Sequence, residues 1–202
     1  MNTSYARTFT LMSTAFAPLD WVRSLSLVVA FSLLTALAAQ VAIPLPWTPV
    51  PITGQTFAVL LTGSLLGWRL GSLAMIAYLF EGAIGLPFFA AGGTGPARLL
   101  FSPTSGYLLS YPAAACLTGI LAGRGWDKRF LTAAAAIGLG SIVILLSGWS
   151  WLAIWTGSAS HAWTIGVAPF IPGDIVKILL AAVALPSGWA VLHRMGFKNN
   201  LK

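Results

Sequence analysis

The chain has 202 residues, 57% hydrophobic and 7% charged, with a mean hydropathy of +0.86. A water-soluble domain carries about 25% charged residues, so this composition excludes one and points to a chain solvated by lipid. Eleven basic against four acidic residues give a formal charge of +7, and the single Cys116 excludes an intrachain disulfide or a cysteine-based metal cluster. Strands of a membrane barrel would alternate apolar and polar residues, whereas the apolar runs here are apolar all round. The expected class is therefore an all-α integral membrane protein.

The stretch before Trp21 is polar and rich in Thr and Ser. It lacks the apolar run and small-residue cleavage site of a signal peptide, so residues 1–23 are read as a polar, mobile or interfacial tail. Six apolar segments follow, forming one domain over 24–195, with a basic tail at 196–202. The first, about Ser24–Ile43, is uncharged and stops at "IPLPWTPVP", where four prolines forbid further helix. The second, about Thr53–Trp68, is short for a span. The third, about Leu70–Ala90, holds Glu81 and is weakened late by Gly82, Gly85 and Pro87. The fourth and fifth run over about Ser105–Ala122 and Phe130–Leu152. The sixth, about Asp174–His193, contains Pro186, which predicts a kink.

With six spans, nine of the eleven basic residues fall on one side, including Arg7, Arg23, Arg69, Arg124, Lys128, Arg129, Arg194, Lys198 and Lys202. Only Arg98 and Lys177 lie on the other. This asymmetry places both termini in the cytoplasm and explains the net charge without nucleic acid. The connections on the opposite side are long and rich in Gly and Pro: "IPLPWTPVPITGQT", "AAGGTGPARLLFSPTSGY" and "TGSASHAWTIGVAPFIPGD". Irregular backbone near a bilayer survives where it is buried in protein or lines a cavity, so a solute site is expected at this mouth. Trp47, Trp149, Trp151, Trp155 and Trp163 lie at the same level, read first as an interfacial belt and second as a stacking wall.

Asp174 follows Pro172–Gly173 and opens an apolar run, as a helix N-cap would. Lys177 opposes the macrodipole of a helix start unless an anion is near. Asp174 lies three residues away and can pair with it, and a bound carboxylate can do the same. Glu81 is read as meeting an interhelical partner in preference to lining the cavity. His161 and His193 lack metal-like spacing, and Ser150 lacks an organised base. No phosphate-binding Gly-Lys-Ser/Thr loop is present, so ATP hydrolysis has to come from other subunits.

The stretches "PVPITGQTFAVLLTGSLLG", "GLPFFAAGGTGPARLLFSPTSGYLLSY" and "FIPGDIVKILLA" resemble the BioY family, the biotin-specific S components of energy-coupling-factor transporters. They occur in the same order and at similar spacing as in that family, and the similarity spans about Leu25 to Leu192. One departure is "GTGPARLL", with Pro96 and Arg98 where small residues are expected. The resemblance implies a six-helix S-component fold that captures biotin with high affinity at the outer face of a prokaryotic cytoplasmic membrane. It implies a transport protein rather than an enzyme, with biotin as ligand and no cofactor. Its partners would be membrane lipid, a transmembrane T component and ATP-hydrolysing subunits. An S component for another vitamin is the nearest alternative; a membrane enzyme or structural subunit is the alternative from another class.

By the same resemblance, Thr53, Gln55, Gly92, Gly93, Arg98, Thr104, Tyr107, Asp174 and Lys177 are the expected ligand contacts. Asp174 and Gln55 suit ureido N–H groups, and Lys177 and Arg98 are the cations able to meet the biotin carboxylate or the ureido oxygen. The helix start gives a slight preference for the carboxylate at Lys177. Small residues at four-residue spacing on the first helix, among them Ser32, Ala36 and Ala39, are the expected docking face for the T component, with packing inside the bundle as the rival.

Overall fold

The structure, a computed structural model, describes residues 10–15 and 20–196. The expected basic tail beyond 196 and the first nine residues lie outside the described residues. Among the described residues, five helical stretches are long and apolar enough to cross a membrane.

Residues Leu11–Ala15 form a short helix, α1. Its Leu11 and the preceding Thr10 are buried, so this part of the expected polar tail packs against the bundle. The first long helix, α2 (Trp21–Gln40), is capped by the Asp20 side chain, which accepts from the Arg23 backbone N–H at 2.8 Å. Four prolines then end the helix, but they do not leave a loop. Strands β1 (Ala42–Leu45) and β2 (Thr48–Thr53) pair antiparallel, Ala42 opposite Thr53 and Leu45 opposite Thr48, with an irregularity between Ile43 and Leu45. A two-stranded ribbon is all edge, so proline's missing N–H is tolerated there.

The expected second and third segments are the two halves of α3 (Gln55–Ala83), divided at Gly67 with φ 83° and ψ 173°. Only glycine adopts that conformation readily. The chain reverses there: a Cβ on Gly71 would lie 2.8 Å from the Gly63 Cα, whereas eight residues of continuous helix span about 12 Å. The first half, 55–66, is about 18 Å long at 1.5 Å per residue, short against a bilayer core of about 30 Å. The helix stops at Ala83, earlier than expected, and Gly85 turns the chain with φ 118°.

A short helix, α4 (Pro96–Leu100), starts with Pro96 in its first turn, where proline's lack of an N–H costs nothing. Helices α5 (Ser105–Gly123) and α6 (Phe130–Thr156) match the expected segments, α6 running four residues beyond Leu152 to Thr156. The short α7 (Ala159–Gly166) is capped by the Ser158 hydroxyl. Helix α8 (Ile171–Arg194) begins three residues earlier than expected and continues through Pro186.

Close backbone approach holds the bundle together. A Cβ on Gly63 of α3 would meet the Ala115 carbonyl of α5 at 2.3 Å, so only a bare backbone fits. Ser32, Ala36 and Ala39 of α2 are buried, at 5% exposure or less. Helix α2 packs on α3, with Thr35 Oγ1 4.0 Å from Met75 Sδ. These three small residues, expected either to face a docking partner or to pack inside the bundle, are turned into the bundle. Helix direction brings Gln40, the hairpin, Gln55, Ala83, Ser105, Thr156 and Ile171 to one end. Arg23, Arg69, Arg124, Lys128, Arg129 and Arg194 lie at the other.

Candidate binding site

At the end carrying the hairpin, a cavity of about 580 Å³, counting its open mouth, lies between β2 and helices α3, α4, α5, α6 and α8. Its walls are largely apolar, with Val50, Phe89, Leu108, Tyr111, Ile144 and Phe170 among them. Seven of the nine expected contacts line it: Thr53, Gln55, Arg98, Thr104, Tyr107, Asp174 and Lys177.

Asp174 is not an N-cap. The helix starts at Ile171, so its carboxylate sits inside the first turn of α8, a position the macrodipole favours for an anion. It is buried; Oδ2 accepts a 2.5 Å hydrogen bond from the Ser141 hydroxyl of α6, and Oδ1 lies 3.4 Å from Lys177 Nζ. Lys177 also donates to Thr56 Oγ1 at 2.7 Å. Lys177, one turn further into α8, is thus offset by a carboxylate on the same face.

Gln55, the first residue of α3, is buried with its amide held at both ends. Nε2 donates to the Tyr78 hydroxyl, and Oε1 accepts from Thr53 Oγ1 at 3.1 Å. Tyr78 in turn donates to the Phe88 carbonyl at 3.0 Å. Tyr107 donates to the Gly166 carbonyl at 2.7 Å, and its ring fills the space that a Cβ on Gly148 would take. The hairpin is tied over the same region: Thr48 Oγ1 donates to the Ile165 carbonyl at 2.7 Å.

Arg98 reaches the cavity from α4, its side chain lying over Gly93. Its guanidinium has no hydrogen bond or ion pair among the described residues. Arg98 and Lys177 against Asp174 leave the cavity with one uncompensated positive charge, which suits a monoanion.

Gly92 and Gly93 stand apart from the lining and shape the loop that carries it. The Gly92 N–H donates to Gln40 Oε1 at 3.1 Å, while Gly93 bonds back to Ala90 and Phe89, both of which line the cavity. None of the five expected Trp residues lines it; Trp149 donates to Ala159 and Trp151 to Ser102, and Trp47 and Trp155 are exposed. The aromatic wall is Phe89, Tyr107, Tyr111 and Phe170 instead. Glu81 is also absent from the lining, and its Oε2 is buried without a hydrogen-bond partner among the described residues. Sequence reasoning missed Thr56, Tyr111 and Ser141. Thr56 is adjacent to Gln55, a signal that was available; Ser141 lies within an apolar helix and gave none.

The sequence profile of the BioY family matches residues 3–194. The chain belongs to the BioY family. A protein named probable biotin transporter BioY from Pyrococcus horikoshii is 41% identical over 161 residues, covering 80% of this chain and 93% of that one. The biotin transporter BioY of Thermotoga maritima is 36% identical over 153 residues, covering 76% and 88%. Among solved structures, the S-component for biotin from an ECF-type ABC transporter superposes with a TM-score of 0.75. It covers 88% of this chain and 93% of that chain, at 24% identity. That likeness establishes the fold: the chain has the S-component architecture.

Proposed function

We propose that this chain captures biotin at the hairpin end of the bundle, as the substrate-binding S component of an energy-coupling-factor transporter. The observation that carries the reading is the cavity itself. It joins a mainly apolar wall to a hydrogen-bonding pair, Gln55 and Asp174, and to a surplus cation. Biotin has matching parts: an apolar thioether ring and chain, a ureido group with two N–H donors, and one carboxylate. The names of the family relatives support the same ligand.

In this reading Asp174 accepts from the ureido N–H groups, and Gln55 offers its remaining N–H and lone pair. Lys177, already bonded to Thr56 and Asp174, steadies the Asp174 carboxylate. Arg98, unpartnered among the described residues, takes the biotin carboxylate. This departs from the slight preference for Lys177 drawn from the helix start. Six spans follow if the two halves of α3 each cross the bilayer. The basic end then faces the cytoplasm, with both termini, and the cavity faces outward. A T component and ATP-hydrolysing subunits would supply the energy.

The test is equilibrium binding of radiolabelled biotin to the purified protein in detergent, with unlabelled thiamine and riboflavin as competitors. One site per chain, displaced by biotin alone, is expected. Absence of saturable biotin binding, or displacement by another vitamin, would overturn the assignment.

A further inference from the structure

We propose that Tyr78 is a positioning residue for ligand capture, fixing the direction in which the buried Gln55 amide faces the cavity. The effect on affinity rests on the biotin reading above; the effect on the amide does not.

Tyr78 does not line the cavity. It stands one layer behind, fully buried, edge-on to Phe89 at 5.8 Å and stacked with Tyr111 at 6.3 Å, two residues that do line it. Its single hydroxyl proton is given to the Phe88 carbonyl at 3.0 Å, which leaves only lone pairs to offer a neighbour. An amide meeting that oxygen has to present its NH₂ group, as Gln55 does through Nε2. The other end of the amide accepts from Thr53 Oγ1. Inverting the amide would set its oxygen against the Tyr78 oxygen, whose proton is already committed. The order of donors along Thr53, Gln55, Tyr78 and Phe88 therefore assigns one of the two amide orientations, which atomic shape alone cannot distinguish.

The Phe88 carbonyl that orders this chain is itself held in place. Phe89 pairs with Gly93 across the loop, and Gln40 Nε2 donates to the Pro87 carbonyl at 3.2 Å. The cavity-facing half of Gln55 thus presents one fixed N–H and one fixed lone pair. Phenylalanine at 78 would keep the ring packing and remove the group that dictates the direction. Gln55 could then turn over and present the wrong polarity to a bound ureido group.

The experiment is a double-mutant cycle on the full chain, with biotin as the probe. Tyr78→Phe should weaken biotin binding about tenfold alone, and by less than twofold in a Gln55→Met background, because it acts only through that amide. No loss in the single variant, or the same factor in both backgrounds, would overturn the proposal in favour of general packing. A second measurement needs no ligand: hydrogen exchange of the Gln55 side-chain amide by ¹⁵N NMR, its signals assigned by their loss in Gln55→Met. Slow exchange in wild type and exchange at least tenfold faster in Tyr78→Phe are expected. Equal rates would refute the positioning role. If wild type binds no biotin, the biotin reading falls and the exchange data alone decide this inference. If Tyr78→Phe does not fold, a wild-type Gln55 amide that exchanges as fast as an exposed glutamine overturns it.

Discussion

Ser141 of α6 and Asp174 of α8 are joined by a 2.5 Å hydrogen bond, the serine hydroxyl donating to a carboxylate that is 7% exposed. A buried carboxylate needs such donors to offset the loss of water. Asp174→Asn should weaken biotin binding by about 2–5 kcal/mol, since it strands the Lys177 charge and turns one of two acceptor oxygens into a donor. Ser141→Ala should cost roughly 1.5–3 kcal/mol, as expected for a hydrogen bond to a charged group. Titration calorimetry on the two purified variants checks both, and wild-type affinity in Asp174→Asn would remove Asp174 from the site.

The division of labour between the two cations is open to a ligand substitution. If Arg98 meets the biotin carboxylate, wild type should bind biotin well and biotin amide poorly. Arg98→Met should bind both about equally, because the interaction it lost is one the amide never made. Lys177→Met should weaken acid and amide by the same factor, through Asp174. The reverse pattern, with Lys177→Met erasing the discrimination, would move the carboxylate to Lys177.

At the opposite end, the Asp127 carboxyl is 1% exposed, with Oδ2 accepting from Trp189 Nε1 at 2.7 Å and Oδ1 unpartnered among the described residues. Burial pushes its pKa from 3.8 up to about 6, against the smaller opposing effects of Trp189 and Lys128. The folded chain therefore holds a proton that the unfolded chain releases near pH 4, so this group's stability contribution falls as pH rises from about 4 to 6 and then levels. The full change is on the order of 3 kcal/mol. Thermal unfolding in detergent from pH 4 to 7 should show wild type losing several degrees relative to Asp127→Asn across that window. Parallel curves would mean that Asp127 titrates normally.

Sidedness follows from the same end-to-end asymmetry. In a Cys116→Ala background, Ser160→Cys should react with a membrane-impermeant thiol reagent in intact cells, and Arg124→Cys should react only after lysis. Inverted labelling would put the cavity on the cytoplasmic side and overturn capture from outside.

The long helices were legible because each is an uninterrupted apolar run ended by prolines, glycines or charge. The mouth was legible because Arg98, Asp174 and Lys177 stand out in a sequence with so few charges. Rotation about each helix axis was not legible. A helix apolar on every side carries no stripe to show which face turns inward, so Ser32, Ala36 and Ala39 could be placed on α2 but not aimed. Ser141 and Tyr78 were hidden for the same reason: each acts through a neighbour and lies within apolar sequence. The hairpin escaped because four prolines argue against helix without arguing for strand. The start of α8 escaped because Asp174 satisfies the N-cap pattern, although Pro172 had already opened the helix.

The reversal at Gly67 makes the binding site a matter of counting. Gln55 and Tyr78 lie almost equally far along the chain from that glycine, one on each arm, and this brings them to the same height. Each helical residue turns the chain by about 100°. One residue added to either arm would therefore swing its partner out of reach and lift it by about 1.5 Å, with every cavity-lining side chain left unchanged. The Gln55–Tyr78 contact thus ties the length of one arm of α3 to the length of the other.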